Sequence, residues 1–218
     1  MSIKAVIFDL DGTLVDTEKL YRMYWPKALA HFGYDLPDER ALKLRSLGRP
    51  YAPQQFREWY GESFDYPAVR AYRKEIIEEH IAKHGIEAKP GARELVEALT
   101  QQGVTVCIAT ATDPERTERY LALAGLAGLF PTIISATMVE HGKPAPDIYR
   151  YACERLGFAS EECIAVEDAP NGVISAYRAG CRVVMIPDQT EPDEEIIPML
   201  YARADSLAEV ADIAIQGV

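Results

Sequence analysis

The chain has 218 residues, 48% of them apolar and 26% charged, with a formal net charge of −11 at pH 7. That length and composition allow a full buried core, and no run approaches the roughly 20 uninterrupted apolar residues of a membrane span. The acidic balance repels nucleic acid and anionic membranes at long range, so an anionic small molecule would need a local cationic site. The first apolar run, Ile3–Phe8, predicts a strand rather than a signal sequence, and a cytoplasmic location is the default expectation.

Residues 17–86 carry no strand signal. Stretches such as EKLYRMYWPKALAHFG and YPAVRAYRKEIIEEHIAKHG have helical spacing instead. An insertion this long is not an ordinary loop. It predicts a helical lobe over 17–86, with crossings near Asp16 and Ile86–Lys89 acting as a hinge, and a core made of 1–16 and 87–218. Tyr21, Tyr24 and Trp25, on the first lobe helix, could line the cleft, but aromatics at helical spacing are expected in the lobe core.

After the insertion, strands and helices alternate. A helix over Gly91–Gln102 leads to a strand at Val104–Ala109. Asp113-Pro114-Glu115 starts the next helix and Gly125 stops it. A strand at Thr132–Ser135 precedes a helix that contains Pro146-Asp147 and ends at Gly157. A strand at Cys163–Val166 precedes one begun by Ala169-Pro170 and ended at Gly180. Arg182–Ile186 reads as a strand and Ser206–Ile215 as a terminal helix. Strands this uniformly apolar, separated by helices, predict an α/β fold: a doubly wound parallel sheet covered on both faces. Cys107, Cys153, Cys163 and Cys181 form no C-x-x-C pair and are expected as reduced, buried thiols. His31, His80, His84 and His141 show no metal-ligand spacing.

The chemistry-bearing residues cluster at strand ends. VIFDLDGTLVDT puts two carboxylates, Asp9 and Asp11, at the carboxyl edge of the sheet, where ligands bind in open α/β folds. By residue usage, D-x-D-G-T arises by chance in on the order of one in several hundred chains of this length. DLDGTLVDT resembles the first motif of the haloacid dehalogenase-like hydrolases. VCIAT, ending at Thr110, is similar to the second; GKPAPDIY, with Lys143, to the third; AVEDAPNG, with Glu167 and Asp168, to the fourth.

The resemblance implies Asp9 as nucleophile toward phosphorus and Asp11 as general acid and base. It also implies a Mg²⁺ site made by Asp9, the Asp11 backbone carbonyl, Asp168, and waters or Glu167. Physical need agrees: a carboxylate approaching a phosphate dianion meets repulsion of roughly 4 kcal/mol per charge pair at 4 Å, which a cation relieves. Lys143 would neutralise nucleophile and phosphoryl oxygens, and the Thr110 hydroxyl would bond the transferring group.

The expected activity is hydrolysis of a small phosphorylated metabolite by a monomer. Arg45 and Arg49, in LRSLGRP, are candidates for a second anionic group on the substrate or else solvated arginines on a helix face; Thr112 is a further candidate for a second phosphate. A β-phosphoglucomutase-type reaction is the alternative, although mutases carry a histidine near the position of Tyr21. A catalytically silent binding module would have lost Asp9, Asp11, Lys143 or Asp168, and all four are present.

Overall fold

A computed structural model describes residues 2–216. The first strand, β1 (Ala5–Phe8), has every residue buried, because alternate side chains enter two different cores. Val6 and Phe8 pack on one face of the sheet with Leu95, Leu99 and Val210. Ala5 and Ile7 pack on the other with Ile148, Ala152 and Val173. The remaining strands are β2 (Thr105–Thr110), β3 (Ile133–Ser135), β4 (Cys163–Glu167), β5 (Arg182–Met185) and β6 (Ala202–Arg203). They form one parallel sheet in the order β3-β2-β1-β4-β5-β6. The chain is thus wound outward in both directions from β1, as the alternating pattern predicts. The two-residue β6 is an addition: a pair of residues, one of them exposed Arg203, carries no periodic signal.

The helices after the insertion are α5 (Ala92–Gln101), α6 (Pro114–Leu123), α7 (Asp147–Leu156), α8 (Pro170–Ala179) and α9 (Leu207–Gln216). The Asp113 carboxylate accepts from the Arg116 backbone N at 3.1 Å and starts α6. Because β1 and β2 are neighbours in the centre of the sheet, the residues following both emerge side by side at its carboxyl edge.

Residues 17–86 fold as α1 (Glu18–His31), α2 (Asp38–Lys43), α3 (Tyr51–Tyr60) and α4 (Tyr66–His84). They have their own apolar cluster, in which Trp25, Leu29, Phe56, Phe64 and Val69 are buried. Phe56 stacks on Phe64 at 5.2 Å between ring centroids and meets the Trp25 ring, tilted by 37°, at 4.9 Å. The two chain crossings pair with each other: Asp16 N donates to Glu87 O at 2.9 Å and Lys89 N to Leu14 O at 2.8 Å. A second seam joins the lobe to the loop that carries Lys143. Gly48 N donates to Lys143 O at 2.8 Å and Gly142 N to Arg49 O at 2.6 Å. A Cβ on Gly142 would lie 2.9 Å from Gly48 Cα, so only glycines allow the two backbones to approach this closely. Among the described residues no helix is long and apolar enough to cross a membrane.

Candidate active site

Asp9 follows β1 directly and is 2% exposed. Its backbone N donates to Val166 O at 2.9 Å, which carries the ladder one residue past the strand. Lys143 reaches it from the loop before α7. The Lys143 ammonium donates to Asp9 Oδ1 and to Glu167 Oε1, both at 2.5 Å, and to Ala109 O at 3.1 Å, so all three of its protons are used. Burial disfavours the Lys143 charge, yet Asp9 and Glu167 outweigh it and hold the pKa above the ordinary lysine value. Burial raises the Asp9 pKa well above the carboxylate range, with Glu167 and Asp11 adding to it against Lys143.

Thr110, at the end of β2, is fully buried, and its Oγ accepts from Thr112 N at 3.0 Å. Asp9, Glu167 and Asp168 each offer a carboxylate oxygen within 4.8 Å of the others. Asp9 Oδ2, Glu167 Oε2 and Asp168 Oδ1 are buried without a hydrogen-bond partner. A cluster of three buried carboxylates, each with an orphaned hard oxygen, suits a small divalent cation, and the donor set therefore fits the ion the sequence implies. Asp11 contributes no side-chain oxygen to that group. Gly12 has φ +90°, and a Cβ there would lie 2.2 Å from Asp168 Oδ2, so this turn admits only glycine.

A model of the haloacid dehalogenase-like hydrolases matches residues 3–180. The chain belongs to this family. It is 33% identical over 199 residues to protein CbbY of Rhodobacter capsulatus, covering 87% of each chain. It is 34% identical over 205 residues to hexitol phosphatase A of Escherichia coli K12, covering 93% of this chain and 92% of the relative. A crystal structure of a CbbY variant from Rhodobacter sphaeroides in complex with xylulose 1,5-bisphosphate superposes with a TM-score of 0.78 at 27% identity, covering 95% of this chain and 96% of that one.

In this hydrolase the Asp11 carboxylate is held by three hydroxyls. Thr17 donates to Oδ1 at 2.6 Å, Tyr21 to Oδ1 at 2.9 Å and Thr112 to Oδ2 at 2.7 Å. Of these donors, Thr17 carries no signal of its own in the sequence beyond its place in the first motif. Tyr21 reads there as lobe core; it lies on the inner face of α1 and lines the cleft with Asp9 and Asp11. Burial and the neighbouring Asp11 raise its pKa well above the tyrosine value, so it stays a donor. Thr112, a candidate for substrate phosphate, has its hydroxyl engaged by Asp11 instead. Tyr21→Phe removes one of three hydrogen bonds that orient Asp11, each worth about 1 kcal/mol; kcat is expected to fall about fivefold and the melting temperature by no more than about 2–4 °C, as read from phosphate release and a thermal melt.

The two candidate arginines part company. Arg45 is buried and satisfied: it contacts Asp168 Oδ2 closely, donates to Glu18 Oε2 at 3.1 Å and to Thr190 Oγ1 at 3.1 Å, and lies 3.6 Å from Asp188. Arg49 is exposed and lines the cleft. Glu18, the first residue of α1, is a further buried carboxylate that the sequence did not single out. Burial pushes it up to about 7, against the pull of Arg45.

Proposed function

We propose that this hydrolase is a Mg²⁺-dependent phosphatase that cleaves a small phosphorylated metabolite through a phosphoryl group carried on Asp9. The observation that carries the reading is the pairing of two buried carboxylates with opposite environments. Asp9, which lines the cleft, has one oxygen on Lys143 and the other without a partner; Asp11, beside it, is fixed by three hydroxyls. The family and its phosphatase relatives agree: the chain is a phosphomonoester phosphatase.

In the first half-reaction an Asp9 oxygen attacks phosphorus as the ester P–O bond breaks, and Asp11 gives its proton to the departing oxygen. Water then attacks the aspartyl phosphate, yielding a proton to Asp11, and phosphate leaves with Asp9 restored. Thr17, Tyr21 and Thr112 orient the Asp11 carboxyl for both transfers. Lys143 holds Asp9 against rotation and sets one positive charge against the phosphoryl oxygens. The Thr110 hydroxyl donates to the transferring group. A Mg²⁺ ion held by Asp9, Asp168, the Asp11 backbone carbonyl and Glu167 or water would offset the charge of phosphate approaching a carboxylate.

Residues 17–86 act in this reading as a cap over the core of 1–16 and 87–218, moving about the paired crossings at Asp16 and Lys89. Support comes from the cleft, a cavity of about 130 Å³ lined by both parts, which suits a small molecule and not a polymer. Of the two arginines in LRSLGRP, Arg49 is the one left to meet substrate, as Arg45 is spent on carboxylates.

Phosphate release from a panel of phosphorylated metabolites, with Mg²⁺ and with EDTA, tests the proposal. Release that needs Mg²⁺ supports it; formation of glucose 6-phosphate from β-glucose 1-phosphate without net release would replace it with a mutase. Metal binding has its own readout. At one hundred times its Kd, Mg²⁺ adds about 2.7 kcal/mol to the folded state, which for this chain length raises the melting temperature by about 5–10 °C. The shift is expected to vanish in Asp168→Asn.

A further inference from the structure

Two buried arginines in the cleft each have an Nε without a partner. Arg73, on α4 of the cap, is 8% exposed. Its guanidinium lies 4.0 Å from the Trp25 ring centroid and 4.9 Å from that of Tyr21. Among the described residues it makes no hydrogen bond or ion pair, and its Nε is buried without a partner. Arg116, on α6 of the core, is 7% exposed, and its Nε is likewise unpartnered. Its one ion-pair contact is at 3.6 Å, to Asp113, a third exposed and shared with Lys74 at 3.3 Å. Both arginines line the cleft that holds Asp9 and Asp11. Burial lowers the Arg73 pKa, and Arg116 and Arg70 repel its charge further.

A buried guanidinium that lacks an anion is costly, and two facing the same space repel. Arg45, in the lining of the same cleft, shows the ordinary remedy: three carboxylates surround it. No such remedy is built for Arg73, and for Arg116 it is partial: Asp113 stands at 3.6 Å and is shared with Lys74. Their two charges and their forks of N–H donors match a dianion with several acceptor oxygens, whereas one carboxylate would leave a charge uncompensated. The Trp25 and Tyr21 rings fix the plane of the Arg73 fork in advance, which reduces the entropy lost on binding.

We infer that Arg73 and Arg116 form the seat of a second phosphate, so that the preferred substrate of this hydrolase is a small metabolite phosphorylated at two positions, one phosphate at Asp9 and the other clamped between cap and core. The inference rests on the phosphatase reading for the first phosphate. Since one arginine comes from each part of the protein, the second phosphate also ties the cap to the core, and a monophosphate lacks that tie.

The test is competitive inhibition of p-nitrophenyl phosphate hydrolysis by fructose 1,6-bisphosphate against fructose 1-phosphate and fructose 6-phosphate, and by ribulose 1,5-bisphosphate against ribulose 5-phosphate. In the wild type at least one bisphosphate is expected to have an inhibition constant about thirtyfold below its monophosphate. Arg73→Gln and Arg116→Gln are each expected to bring that ratio close to one, with Arg73→Lys recovering part of it. A wild-type ratio near one for both pairs overturns the inference, and so do a ratio that survives both variants and a loss that raises mono- and bisphosphate constants alike. The same ratios read from melting-temperature shifts need no turnover. Failure to hydrolyse p-nitrophenyl phosphate with the bisphosphate preference intact would therefore count against the phosphatase reading and leave the anion seat standing.

Discussion

Asp9→Asn is expected to lower phosphate release by about 10⁴-fold or more, because it removes the attacking oxygen and no neighbour can replace it. Glu167 and Asp168 are close, but the first is bound to Lys143 and Tyr149 and the second to Arg45. Asp11 is pinned by its three hydroxyls. The measurement is steady-state phosphate release together with acid quenching on a radiolabelled substrate. The wild type should carry label on the protein and the variant none. A variant that keeps a tenth of the activity would remove Asp9 from the chemistry. Folding should be nearly unaffected, since an amide oxygen can still accept from Lys143 Nζ.

Lys143→Met is expected to damage both activity and stability. The ammonium is fully buried between Asp9 and Glu167, so its removal leaves two carboxylates without their shared countercharge. Breaking such a pair costs about 4 kcal/mol, which at this chain length lowers the melting temperature by about 10 °C or somewhat more. The loss of a positive charge at the transferring group should lower kcat by about a thousandfold. The pH dependence has a definite sign. In the wild type the folded-state pKa of Lys143 lies above its unfolded value, so its contribution is fully present below the unfolded pKa and is lost as pH rises through the folded one. In the variant, Asp9 loses the cation that opposes its upward shift. A carboxyl raised on folding binds protons more tightly in the folded state, so stability falls as pH rises between its two pKa values. The gap in melting temperature between variant and wild type should therefore widen from pH 5 to pH 8. A constant gap would show that packing, not charge, sets the loss.

Loss of Tyr21 gives a smaller effect than either, and it illustrates what a linear reading misses. Tyr21 and Trp25 share one face of α1 and look alike in spacing, yet Trp25 is buried among Phe56 and Tyr66 in the cap while the Tyr21 hydroxyl meets Asp11. The signal that separates them is proximity to the first motif along the chain: Tyr21 is one turn into the helix that begins where the motif ends. Thr17, the last residue of DLDGTLVDT, belongs to the first motif, but only the turn at Gly12 brings its hydroxyl back to Asp11.

What the sequence by itself determined is everything encoded locally or by period. Apolar strands alternating with capped helices specified a parallel sheet wound both ways from β1, because a strand covered on both faces must be apolar at every position. The order of Asp9, Asp11, Thr110, Lys143, Glu167 and Asp168 at strand ends and loops placed them at one sheet edge, because parallel strands bring their carboxyl ends together. Tertiary structure alone decided which side chains meet. Thr112 reaches Asp11 across 101 residues and Arg45 reaches Asp168 across 123. Those contacts fix Arg45 as a partner of carboxylates and leave Arg49, Arg73 and Arg116 facing the cleft. An arginine's spacing records the helix it sits on; whether a carboxylate from a distant strand quenches its charge depends on how the cap docks on the core.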